Sequence, residues 1–253
     1  MPAAAFFDLD RTLIRRSSVL ALAGTFRERG LISRVDLLKS AWFQFQFAAR
    51  GASPERVRFA AEDGMQLLAG FSVADLQRLV GVAMETVLRP LVYAEPLRLV
   101  QQHRERGERV YIVSATLQEI VQHIADDLGF DGAIGSTCEI VDGVYTGRSL
   151  RAAHGEGKAA AVRELAAASG LDLDASTAYS DSGSDVPFLE AVGHPVVVNP
   201  DRSLRKTARE RGWPVIEFSE QLYPSPARRI GPRAALALAV GAGVWRAARR
   251  RGS

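Results

Sequence analysis

The chain opens on an apolar run, Ala3 to Leu9 (AAAFFDL), that meets charge at Asp8, Asp10 and Arg11. A short continuous apolar run of this kind predicts a buried parallel strand ending in a loop. From about Ser17 to Leu88 the rhythm is helical. Ser17–Arg29, Ser33–Ala49, Pro54–Leu68 and Ser72–Leu88 each carry apolar residues three and four apart, with Gly or Ser between the blocks. The stretch Trp42–Phe47 (WFQFQF) alternates as a strand would, but its helical flanks place it in a helix.

After Pro90 strands and helices alternate. The pattern predicts a helix over Glu95–Arg106, a strand over Arg109–Ser114 (RVYIVS), and a helix over Leu117–Leu128 opened by a Thr116-x-x-Glu119 capping box. Asp142-Gly143 between two extended runs predicts a hairpin within Cys138–Tyr145. Then follow a helix from about Lys158 to Ser169, a strand at Thr177–Ser180, a helix at Val186–Ala191 and a strand at Pro195–Val198. Such alternation implies an α/β fold, a doubly wound (Rossmann-like) parallel-sheet core. The expected layout is a core made of residues 1–14 and 91–222, an inserted all-helical cap over 15–90, and a basic, apolar C-terminal tail over 223–253.

Composition narrows the class. With 47% hydrophobic and 24% charged residues among 253, the chain is an ordinary globular protein, which excludes wholesale disorder, a collagen or a disulfide scaffold. A single cysteine, Cys138, excludes an internal disulfide and a Cys-rich zinc site. It points to a reducing compartment, and in a hairpin strand it reads as a buried structural thiol. No secretory signal pattern precedes the first strand, so the expected location is cytoplasmic. The net charge of +3 is uneven: residues 224–253 hold seven arginines and no acid, leaving 25 basic against 29 acidic residues elsewhere. The body is therefore mildly acidic, and a nucleic-acid partner loses its electrostatic support.

Some residues carry candidate chemistry. Asp8 and Asp10 end the first strand, where open α/β sheets place ligands, and a two-residue spacing sends both carboxylates the same way. Crowded carboxylates favour a divalent cation or a shared proton. Thr12 adds a hydroxyl to that loop. Ser114 closes a second strand before a helix, forming a small anion-binding corner or capping the helix. Lys158 opens a helix, where the macrodipole disfavours a cation, so it either serves an anionic group or is a lone surface lysine. Asp181 and Asp185 flank a small serine- and glycine-containing loop after the strand TAYS, and N-capping accounts for one acid but not both. The four histidines are scattered singly, and no phosphate-loop or dinucleotide fingerprint occurs, so zinc hydrolysis and ATP or NAD binding are not indicated.

Taken in order, Asp8-x-Asp10-x-Thr12, Ser114, Lys158 and Asp181-x-x-x-Asp185 resemble the motifs of the haloacid dehalogenase-like (HAD) hydrolases over about residues 3–218. The strings Phe7–Leu13 (FDLDRTL), Gly155–Lys158 (GEGK) and Tyr179–Ser182 (YSDS) are similar to subfamily IB, which includes phosphoserine phosphatases. The resemblance implies that Asp8 is a nucleophile forming an aspartyl phosphate and Asp10 a general acid and base. It implies that Thr12, Ser114 and Lys158 hold phosphoryl oxygens. Mg2+ would sit on Asp8, the Asp10 carbonyl and Asp181, while Asp185 supports the metal waters or orients Lys158. A small phosphomonoester is the implied substrate. That branch carries Glu where Ser17 stands here, Ser-Gly-Gly where Ser114-Ala115-Thr116 stands, and Asn where Ser184 stands. Arg56 or Arg58 in the cap either clamps a substrate carboxylate or lies on a solvated helix face.

A phosphoacceptor signalling domain also gathers acids, a hydroxyl and a lysine, but it lacks the early helical block. A non-catalytic HAD-like binding module would need to have lost Asp8, Asp10 or the metal acids, and all are present. In the tail, Ala234–Trp245 is twelve uncharged residues between arginines. As a helix it would reach about 18 Å, short of the roughly 30 Å hydrocarbon core. It suits peripheral contact with the inner face of a membrane, a partner protein, or the chain's own core.

Overall fold

The apolar N-terminal run becomes β1 (Ala4–Phe7), buried along its whole length at the centre of a seven-stranded sheet. The structure is a computed structural model describing residues 1–28, 65–66 and 68–222. The other strands are β2 (Arg109–Leu117), β3 (Gly132–Val141), β4 (Val144–Arg151), β5 (Thr177–Ser180), β6 (His194–Val198) and β7 (Val215–Ile216). They lie in the order β4-β3-β2-β1-β5-β6-β7. The β3–β4 hairpin is antiparallel and the remaining pairs are parallel. Helices α1 (Ser18–Glu28), α2 (Val73–Ala83), α3 (Ala94–Glu105), α4 (Gln118–Leu128), α5 (Glu156–Ser169), α6 (Val186–Leu189) and α7 (Arg202–Arg211) accompany it.

Side chains alternate across β1, so Phe6 and Phe7 enter different cores. Phe6 packs with Val113, Val162, Phe188 and Leu204. Phe7 packs with Ile112, Val121, Ile124 and Phe130. Both faces are covered, which is why the strand reads as an unbroken apolar run. Leu22, Met65, Leu76, Val80 and Met84 from the segment between β1 and α3 join the Phe7 core. That segment leaves and returns through a paired crossing: Arg15 N–H donates to the Leu91 carbonyl at 2.9 Å and Tyr93 N–H to the Leu13 carbonyl at 3.0 Å.

Several expectations are met closely, the strand Thr177–Ser180 and the hairpin among them. Asp142 and Gly143 have φ of 50° and 77°, the left-handed pair that a two-residue turn requires. Others are corrected. The Thr116-x-x-Glu119 capping box does not form. β2 continues past Ser114 to Leu117, which pairs with Ser136 of β3, and α4 then begins at Gln118 without a side-chain cap. The Ser72–Leu88 helix is capped by Ser72, but regular α-helix ends at Ala83 and widens over Met84–Leu88. α7 and β7 were not anticipated: α7 (RSLRKTARER) is mostly charged and buries only Leu204 and Ala208. It is defined instead by Asp201, whose side chain accepts from Leu204 N–H, and by left-handed Gly212. Helix Ser33–Ala49 with Trp42–Phe47, Pro54–Leu68 up to Gly64, Arg56, Arg58 and the tail lie outside the described residues.

Behind β1 a buried polar cluster braces the core. His103, 2% exposed, lies between Glu108 (Nδ1 to Oε2 2.5 Å) and the Tyr179 hydroxyl (Nε2 to Oη 2.8 Å), with Arg106 also against Nδ1. Tyr179 stacks on Phe7 with centroids 4.4 Å apart. Burial pulls the His103 ring below its ordinary 6.5, against the pull of Glu108. The unfolded chain therefore takes up a proton here more readily than the fold, and this stabilisation is lost as pH falls through about 6.5. Arg106 and His103 likewise hold Glu108 below its usual value despite its partial burial, so it too favours the fold at higher pH. His103→Gln should lose less stability than wild type between pH 7.5 and 5.5, read as urea midpoints at the two pH values.

Candidate active site

The carboxyl ends of β1 and β5 lie side by side, with Phe7 opposite Tyr179 and Asp8 N–H donating to the Tyr179 carbonyl at 2.9 Å. Here the strand order reverses: β2 to β4 extend to one side of β1, β5 to β7 to the other. In doubly wound sheets such a crevice is where ligands bind. Asp8 follows β1 and Asp181 follows β5, and they are 7% and 3% exposed.

Lys158 reaches the crevice from the first turn of α5 and is only 2% exposed. Its Nζ donates to Asp8 Oδ1 at 2.6 Å and to Asp185 Oδ2 at 2.7 Å. Asp185 Oδ2 also accepts from Ser180 Oγ at 2.7 Å. A cation poorly placed for its helix dipole is thus held by two carboxylates from other elements. Burial alone would pull the Lys158 ammonium down, but Asp185 and Asp8 outweigh it and hold it above its ordinary value. The Asp185–Lys158 contact is the one that an orienting role for Asp185 requires.

The approach of α5 is tight. A Cβ on Gly157 would stand 2.2 Å from the Ala152 carbonyl oxygen. Gly157→Ala should therefore displace the helix start and lower turnover by about tenfold or more through misplacement of Lys158, with little change in helix content. Rates set against circular dichroism spectra check this.

The Asp181 loop is anchored from α7. The Asp181 carbonyl accepts from Asp201 N–H at 2.9 Å, and the Asp201 carboxylate accepts from Gly183 N–H at 3.0 Å and Leu204 N–H at 2.7 Å. A Cβ on Gly183 would meet Ser203 Oγ at 2.0 Å, so a side chain there would have to displace the Ser203 hydroxyl from Asp201. Arg11, with φ of 64°, lies with Nε 2.9 Å from Asp181 Oδ2, and that oxygen has no aligned hydrogen bond.

Thr12 is fully buried, and its hydroxyl has no hydrogen-bond partner among the described residues. Ser114 Oγ accepts from Thr116 N–H at 3.1 Å, which leaves the serine's own proton to donate. Asp10 departs from the expectation that it projects alongside Asp8. Asp8 turns to Lys158, whereas Asp10 Oδ1 turns to the start of α1 and accepts from Ser18 N–H at 2.8 Å. The turn Asp8–Arg11 leaves extended geometry, so the strand's two-residue alternation does not carry through it. The sequence assigns Thr116 only a helix-capping role and gives none to Arg11, Ser18 or Ser180. Ser180 alone left a signal, as the residue ending β5 on the rim where Asp181 begins. His154 also lies within reach of Asp185 and Lys158, its ring pulled down by burial. Burial raises the Cys138 thiol, in keeping with a structural role.

Among the described residues no three His, Cys, Asp or Glu side chains form a metal cage by themselves. The expected ligand set needs only two side chains and a carbonyl. Burial pushes the Asp8 carboxyl up to about 7, with Lys158 opposing and Asp185 and Asp10 adding to the rise. Burial, then the charge of Asp8, pushes Asp181 up to about 8 against Arg11. Two buried carboxylates that oppose each other's ionisation, one with an unbonded oxygen already drawing a cationic side chain, fit a hard divalent cation.

Residues 5–190 match the family model of the haloacid dehalogenase-like hydrolases. The chain belongs to that family and is an enzyme of the hydrolase class. It is 43% identical to a probable phosphatase of Mycobacterium tuberculosis, over 98% of this chain and 89% of that one. It is 38% identical to a phosphoserine phosphatase of the same organism, over 96% of this chain and 79% of that one. A crystal structure of a protein of unknown function from Bordetella pertussis Tohama I superimposes with a TM-score of 0.75. It is 32% identical and covers 85% of this chain and 98% of its own.

Proposed function

We propose that the chain is a Mg2+-dependent phosphatase of small phosphomonoesters that works through an aspartyl phosphate on Asp8. The observation that carries this reading is the convergence of Asp8, Lys158, Asp185 and Asp181 on adjoining strand ends. Asp8 attacks phosphorus in line, forming a P–O bond as the ester P–O bond breaks. Asp10 gives its proton to the departing alkoxide, then takes one from the water that opens the acyl phosphate, releasing inorganic phosphate and restoring Asp8. Lys158 stays protonated and, with the hydroxyls of Thr12 and Ser114, donates to the phosphoryl oxygens as charge spreads over them. Asp185 and Ser180 hold Lys158 in place. Asp8, Asp181 and the Asp10 carbonyl are the groups that would hold Mg2+, which supplies charge neutralisation at the phosphoryl group when bound.

Residues 15–90 serve in this reading as the cap that encloses the substrate. Phosphoserine belongs among the candidate substrates, given the activity named for the mycobacterial relative, with Ser17 in place of an acid that would read its ammonium. Phosphate release from p-nitrophenyl phosphate with Mg2+, and after chelation, tests the chemistry. A panel including phosphoserine and lysophosphatidate then ranks the substrates. Failure to hydrolyse any of them with Mg2+ present would remove the proposal in favour of a binding module. No helix of the described residues is long and apolar enough to cross a membrane. Peripheral membrane contact through residues 224–253 remains our proposal for the tail; an unchanged distribution after its deletion, in cell fractionation, would remove it.

A further inference from the structure

Two buried hydroxyls that this mechanism leaves unused join its proton donor to its phosphate-binding serine. Ser18, at the start of α1, gives its backbone N–H to Asp10 Oδ1 at 2.8 Å, and the hydroxyls of Ser18 and Ser17 also favour the charged form of that carboxyl against its burial. Ser18 Oγ lies 2.9 Å from Thr116 Oγ1, and Thr116 N–H donates to Ser114 Oγ at 3.1 Å. Ser18 is fully buried, Ser114 is 2% exposed and Thr116 5%. The Ser18–Thr116 contact joins residues 98 apart in the chain. It ties the helix that follows the Asp8–Thr12 loop to the end of β2.

Such a pair is a poor device for stability alone, since a buried hydrogen bond adds little net stability and an apolar pair of similar shape would serve as well. Its effect on Asp10 is specific. A carboxyl group that donates a proton must present one defined oxygen to the leaving group, and a free carboxylate rotates. With Oδ1 held by the Ser18 N–H, the carboxyl group no longer turns freely. With Thr116 holding Ser18 to the strand that carries Ser114, its orientation is fixed relative to the bound phosphoryl group. We propose that Thr116, acting through Ser18, is a positioning residue that aligns Asp10 with the leaving-group oxygen. The inference rests on the role of Asp10 given above and adds the groups that orient it.

The readout is leaving-group dependence. p-Nitrophenolate departs without a proton, phenolate benefits from one and an alkoxide requires it, while kcat/KM reports the steps through P–O cleavage. Thr116→Val keeps the side-chain shape and removes the hydroxyl. The ratio of kcat/KM on an alkyl phosphate to that on p-nitrophenyl phosphate should fall on the order of tenfold, with phenyl phosphate between. Thr116→Ser should restore the ratio. Ser18→Ala, removing the other hydroxyl, should shift it in the same direction, and melting temperatures establish that each variant is folded. An equal loss on all three esters, or an unchanged ratio in both hydroxyl-deleted variants, would overturn the inference and leave the phosphatase reading standing. Absence of Mg2+-dependent hydrolysis by the wild-type enzyme would overturn both.

Discussion

Asp8→Asn is expected to eliminate turnover while leaving the protein folded. The amide is nearly isosteric but cannot form the acyl phosphate, so no residual route through a covalent intermediate survives, and a rate loss of about 10⁴-fold or more should follow. The fold should tolerate the change. Asn relieves the carboxylate of a burial penalty that already lifts it to about 7, and Lys158 keeps Asp185 as its partner at 2.7 Å. Phosphate release measured beside thermal unfolding checks both halves. Normal turnover in this variant would refute the nucleophile assignment.

Lys158→Met is the second large effect, and here stability falls as well as activity. The side chain is 2% exposed and joins two buried carboxylates. Deleting the cation leaves Asp8 and Asp185 facing each other unpaired, and removing one partner of a buried ion pair costs about 3–5 kcal/mol. The pH dependence has a definite sign. A carboxyl whose folded value lies above its unfolded one takes up a proton on folding, so its penalty shrinks as pH falls. Asp8 and Asp181 are already raised, to about 7 and about 8, and loss of Lys158 raises Asp8 further. The variant should therefore regain stability relative to wild type between pH 8 and 5.5. Denaturation midpoints across that range test this, and a parallel decline in both proteins would show that Lys158 does not compensate the acids.

The fold class was legible because both faces of the central strands are buried, and full burial writes itself into β1 (AAFF) and the Val110–Val113 stretch of β2 (VYIV) as apolar composition. The motif order gave the rim residues of β1, β2 and β5 for a similar reason, since a strand end in a parallel sheet is a marked position. What escaped were elements whose order comes from contacts across the chain. α7 is mostly charged and is held by Asp201 bonding back to Gly183. The last residues of β2 become strand because β3 lies alongside, and pairing overrides the local capping signal at Thr116.

By itself, the sequence determined which chemical groups are present and that Asp8, Asp10, Ser114, Lys158 and Asp181 fall near the ends of secondary-structure elements, because periodicity and turn chemistry are local properties. Partners were decided only in three dimensions. That Lys158 is shared between Asp8 and Asp185, that Asp10 turns from Asp8 toward Ser18, and that Thr116 reaches Ser18 across 98 residues are contacts made only when separate elements pack together. That packing is set over the whole core, and no stretch of a few residues encodes it.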